Sequence, residues 1–162
     1  MKTIITFIDR LIEAALAALM AVMTGVVFVG VLWRYVLLRP LGWTEEVGRF
    51  CLIWASLLGM YLAYRRFEHI RVDAITNRMH PTIRMQLHVV STCLMAVFLA
   101  ALTVEGFNYS SAFLNSQSAI LGIPLGVVYL ALPISGVLML AAILIELSTA
   151  LRSGTTPEER RG

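Results

Sequence analysis

Side chains that could hold a metal ion or carry out catalysis are few in this chain, and their positions suit neither chemistry. The three histidines, His69, His80 and His88, lie near the ends of apolar segments rather than inside them. Their spacing does not resemble that of metal ligands. Ser56 and Ser91 are lone hydroxyls in apolar runs, and small polar residues of this kind commonly serve helix packing. We therefore expect no catalytic residue, no metal site and no cofactor.

A more informative group of polar residues stands at the start of an apolar run, in the stretch WTEEVGRF at residues 43–50. Thr44 is placed to cap a helix, and carboxylates in a first helical turn meet the positive end of the helix dipole. Glu45 and Arg49 have the i, i+4 spacing of a helical ion pair. Glu46 points about 100° away from Glu45 on such a helix. The stretch is therefore either a capped, ion-paired helix end or a surface that contacts another protein, and the position of Glu46 favours contact.

The elements that position these residues are membrane-spanning helices. Of the 162 residues, 59% are hydrophobic and only 14% are charged, whereas soluble domains carry about 25% charged residues. A helix needs about 20 apolar residues to cross a bilayer core. Four stretches meet that length, and they lack the alternating polarity of barrel strands. We predict an all-α membrane protein with one domain, residues 1–152, and spans at about 11–33, 43–64, 85–107 and 121–147.

The distribution of positive charge predicts the orientation of these helices. Only Arg34, Arg39 and Arg49, of the 13 Lys and Arg residues, fall on the side opposite the chain termini. Because cytoplasmic segments carry the excess of Lys and Arg, both termini are predicted to lie in the cytoplasm. The basic residues responsible for the net charge of +3 would then lie at the inner membrane surface, where anionic lipid attracts them. We expect membrane lipid as a partner and no nucleic acid.

Two terminal segments lie outside the predicted spans. Residues 3–12 have apolar side chains on one helical face and polar ones on the other, so they form either an amphipathic lead-in at the membrane surface or a plain extension of the first span. Residues 153–162, SGTTPEERRG, are predicted to be a disordered cytoplasmic tail.

Four short motifs resemble one transporter family when taken in order. They are Arg34-Tyr35, the stretch at residues 43–50, LLGMYLAYRRFEHIRVD at 57–73 and ILGIPLGVVYLALPISGVLM at 120–139. Together they resemble the small membrane subunit, of DctQ type, of tripartite ATP-independent periplasmic (TRAP) transporters. The resemblance implies an inner-membrane scaffold without enzymatic activity. It also implies a large permease subunit that holds the sodium and substrate sites, and a periplasmic binding protein that delivers an organic acid.

The resemblance also implies roles for particular residues. The partner-interface residues would be Trp43, Glu45, Glu46 and Arg49. Other residues are candidates for docking the periplasmic binding protein because the predicted orientation places them on the periplasmic side: Arg34, Arg39, Asn108, Tyr109, Asn115 and Gln117. His69 and Asp73 would order the cytoplasmic loop. The alternative to this interpretation is a stand-alone four-helix carrier, or a membrane anchor subunit of a redox complex.

Overall fold

The computed structural model describes residues 2–66 and 81–153, and all long elements in these ranges are helices. Four of the described helical segments are long and apolar enough to cross a membrane: Ile5–Tyr35, Gly42–Arg66, Val89–Ala112 and Leu125–Ile145. The prediction of an all-α protein with four transmembrane helices is therefore confirmed. The helices are α1 (Lys2–Tyr35), α2 (Gly42–Arg66), α3 (Pro81–Ala112), α4 (Leu125–Tyr129) and α5 (Ala131–Ser153).

The N-terminal segment is a continuous part of α1, which runs without a break from Lys2 to Tyr35. Residues 3–12 are therefore an extension of the first span rather than a separate amphipathic helix. At 1.5 Å per residue, 34 residues measure about 51 Å, which exceeds a hydrocarbon core of about 30 Å. Ile8 and Ile12 of this segment pack in the protein core, whereas Leu11 is exposed.

Ion pairs join α1 to α2 at both ends of the hairpin that the two helices form. The pairs are Arg34–Glu45 at one end, and Asp9–Arg65 and Glu13–Arg66 at the other. The 20 residues of α1 between the charged groups, 14–33, carry no charge. They measure about 30 Å along a helix, which matches the thickness of the bilayer core. The ion pairs thus close the hairpin at the two margins of the apolar layer.

The spanning helices follow one another in space in the order α1, α2, α5, α3. Helix α1 packs mainly on α2, α2 on α5, and α5 on α3, so α2 and α5 occupy the centre. Side chains of all four meet in one core, where Ile143 is fully buried. Gly136 allows α5 to approach α3 closely, because a β-carbon there would lie 2.3 Å from Thr103 Oγ1. Small residues at such contacts are typical of helix packing in membranes.

The fourth span is interrupted at Leu130, between α4 and α5. Pro133 lacks the N–H that would donate to the carbonyl of Tyr129, so one helical hydrogen bond is missing next to the interruption. Helical i to i−4 hydrogen bonds nevertheless flank the interruption on both sides. Leu130 N–H donates to the Gly126 carbonyl, and Ile134 N–H donates to the Leu130 carbonyl. The helix of this span begins at Leu125 rather than near residue 121.

Residues 113–124, termed the outer loop below, form an ordered turn instead of the first residues of that helix. Ser118 N–H donates to the Ile123 carbonyl at 2.9 Å, and Leu125 N–H donates to the Ser116 carbonyl at 2.8 Å. Gly122 has φ 65°, a conformation that glycine adopts without steric cost. The outer loop is therefore a defined surface next to the candidate site.

Candidate functional site

The first turn of α2 is positioned by Thr44, although not in the way that the sequence predicted. The helix begins at Gly42, and the Thr44 hydroxyl donates to the Leu41 carbonyl at 2.6 Å. The predicted capping role, in which Thr44 accepts from a backbone N–H at the helix start, is wrong because the helix begins two residues earlier. Thr44 is buried against α1, where a β-carbon at Gly30 would lie 2.7 Å from Thr44 Oγ1. Thr44 therefore sets the close approach of α1 and α2.

Glu45 pairs with a residue on the neighbouring helix rather than on its own. Arg34 Nη2 donates to Glu45 Oε1 at 3.1 Å, so the predicted pair of Glu45 with Arg49 is wrong. The two paired side chains are 56% and 65% exposed, and a pair at this exposure contributes about 0–1 kcal/mol. Arg49 is exposed and has no ion pair or hydrogen bond to any residue in the described ranges.

Glu46 holds the outer loop against α2. Its Oε2 accepts a hydrogen bond from Leu121 N–H at 2.9 Å, across 75 positions of sequence. Beside this bond, the Ile120 side chain covers Gly42, where a β-carbon would lie 2.6 Å from Ile120 Cδ1. Glu46 therefore has a use within the chain, and the sequence had no signal for it.

The residues predicted to dock the binding protein are all exposed at the end of the molecule that carries the outer loop: Arg34, Arg39, Asn108, Tyr109, Asn115 and Gln117. Tyr109 belongs to an aromatic cluster, with ring centroids 4.7 Å from Phe113 and 5.0 Å from Tyr129. The sequence predicted that the third span ends near residue 107, but α3 continues to Ala112, so Tyr109 lies on a helix. Gln117 pairs with Pro124 through the backbone of the outer loop.

Exposed apolar side chains at the same end were missed by reasoning from the sequence. Ile120 is 59% exposed and Leu38 is 81% exposed. Leu38 also has φ 52°, in the left-handed region that favours glycine, and this conformation costs a branched side chain about 1–2 kcal/mol. Trp43, which the sequence did single out, is 37% exposed beside them. The end therefore combines apolar side chains with Arg49, which has no ion pair with any other described residue.

The opposite end contains a second polar cluster. The Tyr61 hydroxyl donates to Asp9 Oδ1 at 2.8 Å, and Arg65 Nη2 donates to Asp9 Oδ2 at 3.3 Å. His69 and Asp73, predicted to order the loop that follows α2, lie outside the described residues. In the part of the chain that the structure describes, no group of three His, Cys, Asp or Glu side chains could hold a metal ion.

Comparison with known proteins identifies a family for this arrangement. Residues 23–153 match the family described as "Tripartite ATP-independent periplasmic transporters, DctQ component". A TRAP transporter small permease protein of Haemophilus influenzae is 29% identical over 152 residues, which cover 93% of this chain and 94% of that protein. The sialic acid TRAP transporter small permease protein SiaQ of Vibrio cholerae is 27% identical over 140 residues, 86% of this chain and 79% of SiaQ.

A longer relative shows how such a chain combines with other permease segments. The sialic acid TRAP transporter permease protein SiaT of Haemophilus influenzae is 28% identical over 134 residues, which are 83% of this chain but only 22% of SiaT. A segment similar to this chain is thus part of a much larger permease polypeptide in that relative. With four helices that could span a membrane and a family match over most of its length, the chain belongs to the DctQ component family as the small permease subunit of a TRAP transporter in the bacterial inner membrane.

Proposed function

We propose that this small permease subunit scaffolds the large permease subunit of a sodium-coupled, binding-protein-dependent importer of organic acids. The observation that carries the proposal is the surface at the start of α2, where the Glu46–Leu121 hydrogen bond holds the outer loop beside Trp43 and the unpaired Arg49. This surface combines exposed apolar side chains with an available charge and has no partner among the described residues. Aromatic residues and arginine are the types enriched at protein interfaces.

The substrate class is proposed from the names of relatives. They are named for sialic acid, C4-dicarboxylate and isethionate systems, and all three compounds are organic anions. We propose a carboxylate as the substrate, because sialic acid and the C4-dicarboxylates both carry one. None of the charged side chains in the described ranges lies at the middle of a span, although Arg49 and Glu105 lie about two helical turns inside theirs. We therefore assign the substrate and sodium sites to the large permease.

The outer surface is also proposed to help dock the periplasmic binding protein. The side chains of Arg39, Asn108, Asn115 and Gln117 are exposed, and we propose that they face the periplasm, because the distribution of Lys and Arg predicts both termini in the cytoplasm. They are polar and mostly uncharged, which is typical of the rim of an interface rather than its core. Trp43 and Ile120 supply the apolar part, which we assign to the large permease.

Co-purification with the large permease tests the interface. Glu46→Ala releases the outer loop and Arg49→Ala removes the unpaired charge, so both should reduce the amount of large permease that is retained. Arg10→Ala is a matched control, since Arg10 is also exposed but lies near the other end of the hairpin. Loss of one interface contact costs about 1–3 kcal/mol, or about 5- to 150-fold in affinity. Equal retention in all three variants would contradict the interface.

Reconstituted transport tests the rest of the proposal. Proteoliposomes that contain both permease subunits and the binding protein should take up an organic acid when sodium is high outside, and should lose uptake when this chain is omitted. A potassium gradient of the same size is the control for sodium coupling. Uptake by liposomes that contain this chain alone would refute the scaffold role.

A further inference from the structure

A groove between the outer ends of α1 and α2 has the polarity profile of a phospholipid. Its volume is about 430 Å³. Val27 and Val31 line one part, and Arg34 and Glu45 line another. Val27, Val31 and Arg34 follow each other at i, i+4 and i+7, so they share one face of α1. The lining therefore changes from apolar to charged over about 10 Å of helix.

The charge of the groove favours a zwitterionic ligand. Arg34 and Glu45 pair with each other, so their charges sum to zero. The guanidinium has five N–H donors, and the pair is formed through Nη2 alone. Glu45 uses only Oε1 in this bond, and Oε2 has no hydrogen bond to a residue in the described ranges. Within residues 2–66 and 81–153, the groove thus offers Arg34 N–H donors and a Glu45 carboxylate oxygen that have no hydrogen-bond partner.

We propose that the groove binds a phospholipid with a primary-amine headgroup, phosphatidylethanolamine. The lipid phosphate accepts hydrogen bonds from Arg34, the ammonium group donates to Glu45, and one acyl chain lies along Val27 and Val31. A quaternary choline ammonium cannot donate a hydrogen bond to Glu45. An anionic phosphatidylglycerol provides no cation for Glu45 at all. The site is therefore specific for the amine as well as for the phosphate.

Thr44 and Gly30 keep the groove open at a constant width. Both line it, and their close contact holds the two helices at one separation. The ion pair at the rim is more than half exposed, so a headgroup reaches it without rearrangement of the helices. A helix of another protein in the groove would have to cover this pair, and removal of charges from water is costly. The lipid is the occupant that the charges favour.

Native mass spectrometry of the purified full chain tests the proposal. The chain is titrated with phosphatidylethanolamine, phosphatidylcholine and phosphatidylglycerol of identical acyl chains. Phosphatidylethanolamine should bind most tightly. Arg34→Gln should weaken its binding about three- to tenfold, since solvent screens a group at this exposure. Glu45→Gln should abolish the preference for ethanolamine over choline. Arg49→Gln is the matched control, because Arg49 does not line the groove.

Two further measurements keep the test independent of folding and of simple anion binding. Val31→Trp fills the apolar part of the groove without a change in charge, and it should weaken all three lipids equally. Excess inorganic phosphate should not displace the lipid, because it lacks both the amine and the acyl chain. Equal affinity for the three lipids, no effect of Arg34→Gln, or displacement by phosphate would each overturn the proposal. The first two results would leave the groove to a protein partner.

Discussion

The close approach of α3 and α4 at Gly126 leads to a sharp prediction for Gly126→Ala. A β-carbon at Gly126 would lie 2.5 Å from the Ser110 carbonyl oxygen and 2.9 Å from Leu114 Cα. Both are backbone atoms, so neither can rotate away from an added methyl group. The two helices must separate by several tenths of an ångström. The buried hydrogen bond from the Ser110 hydroxyl to the Gly126 carbonyl, 2.7 Å long, would lengthen with them.

The size of the effect follows from these contacts. Overpacking of this kind costs about 1–3 kcal/mol, and loss of the hydrogen bond costs about 0.5–1.5 kcal/mol. Alanine recovers up to about 1 kcal/mol of helix propensity relative to glycine. We therefore expect Gly126→Ala to destabilise the chain by about 1–3 kcal/mol. Because Gly126 adjoins the outer loop, the variant should also reduce co-purification with the large permease.

Unfolding of the detergent-purified chain, followed by circular dichroism on heating, measures this effect. Gly25→Ala is the matched control: Gly25 lies inside α1, and a β-carbon there would meet no atom within 4 Å. This control should be neutral or more stable by up to about 1 kcal/mol. Ser110→Ala isolates the hydrogen bond from the overlap. If Gly126→Ala proved as stable as Gly25→Ala, the close backbone approach would be refuted.

Two further predictions concern the α1–α2 hairpin. Asp9→Asn should destabilise the chain by about 1–3 kcal/mol, because Tyr61 and Arg65 share this half-buried carboxylate. Glu13→Gln should cost less than about 1 kcal/mol, because the ion pair of Glu13 is more exposed. Similar shifts in thermal unfolding for the two variants would contradict this ranking. Leu38→Gly should leave stability unchanged or raise it by up to about 1 kcal/mol, since glycine relieves the left-handed backbone. A clear loss of stability in the same assay would show that the exposed leucine makes a contact within the chain.

Much of the architecture was predictable from local features. The lengths of the apolar runs indicated four spans, because a bilayer core imposes a minimum helix length on any segment that crosses it. The disturbance near Pro133 was predictable for a similar reason, as the missing N–H is a property of the residue itself. The start of the fourth helix was not, because the apolar residues before Leu125 bond within the outer loop instead.

The sequence was enough to predict where the candidate site lies, but not which residues its side chains contact. Trp43, Glu45, Glu46 and Arg49 stood out because charged residues border an apolar span, and the structure keeps them at one helix end. Their partners depend on other elements. Neither the exposure of Leu38 nor its strained backbone could be predicted from the sequence, because leucine is a common residue and does not by itself indicate a turn.

By itself, the sequence determined the helical class, the number of spans and the family, because hydropathy and short motifs are local properties of the chain. Only the tertiary structure decided which charges pair. Glu45 could bond Arg49 on its own helix, but the close packing of Thr44 on Gly30 brings Arg34 of α1 to it instead. Glu46 likewise meets Leu121 only because the outer loop folds back over α2. Such choices depend on the distance between helices, and no local pattern of residues records that distance.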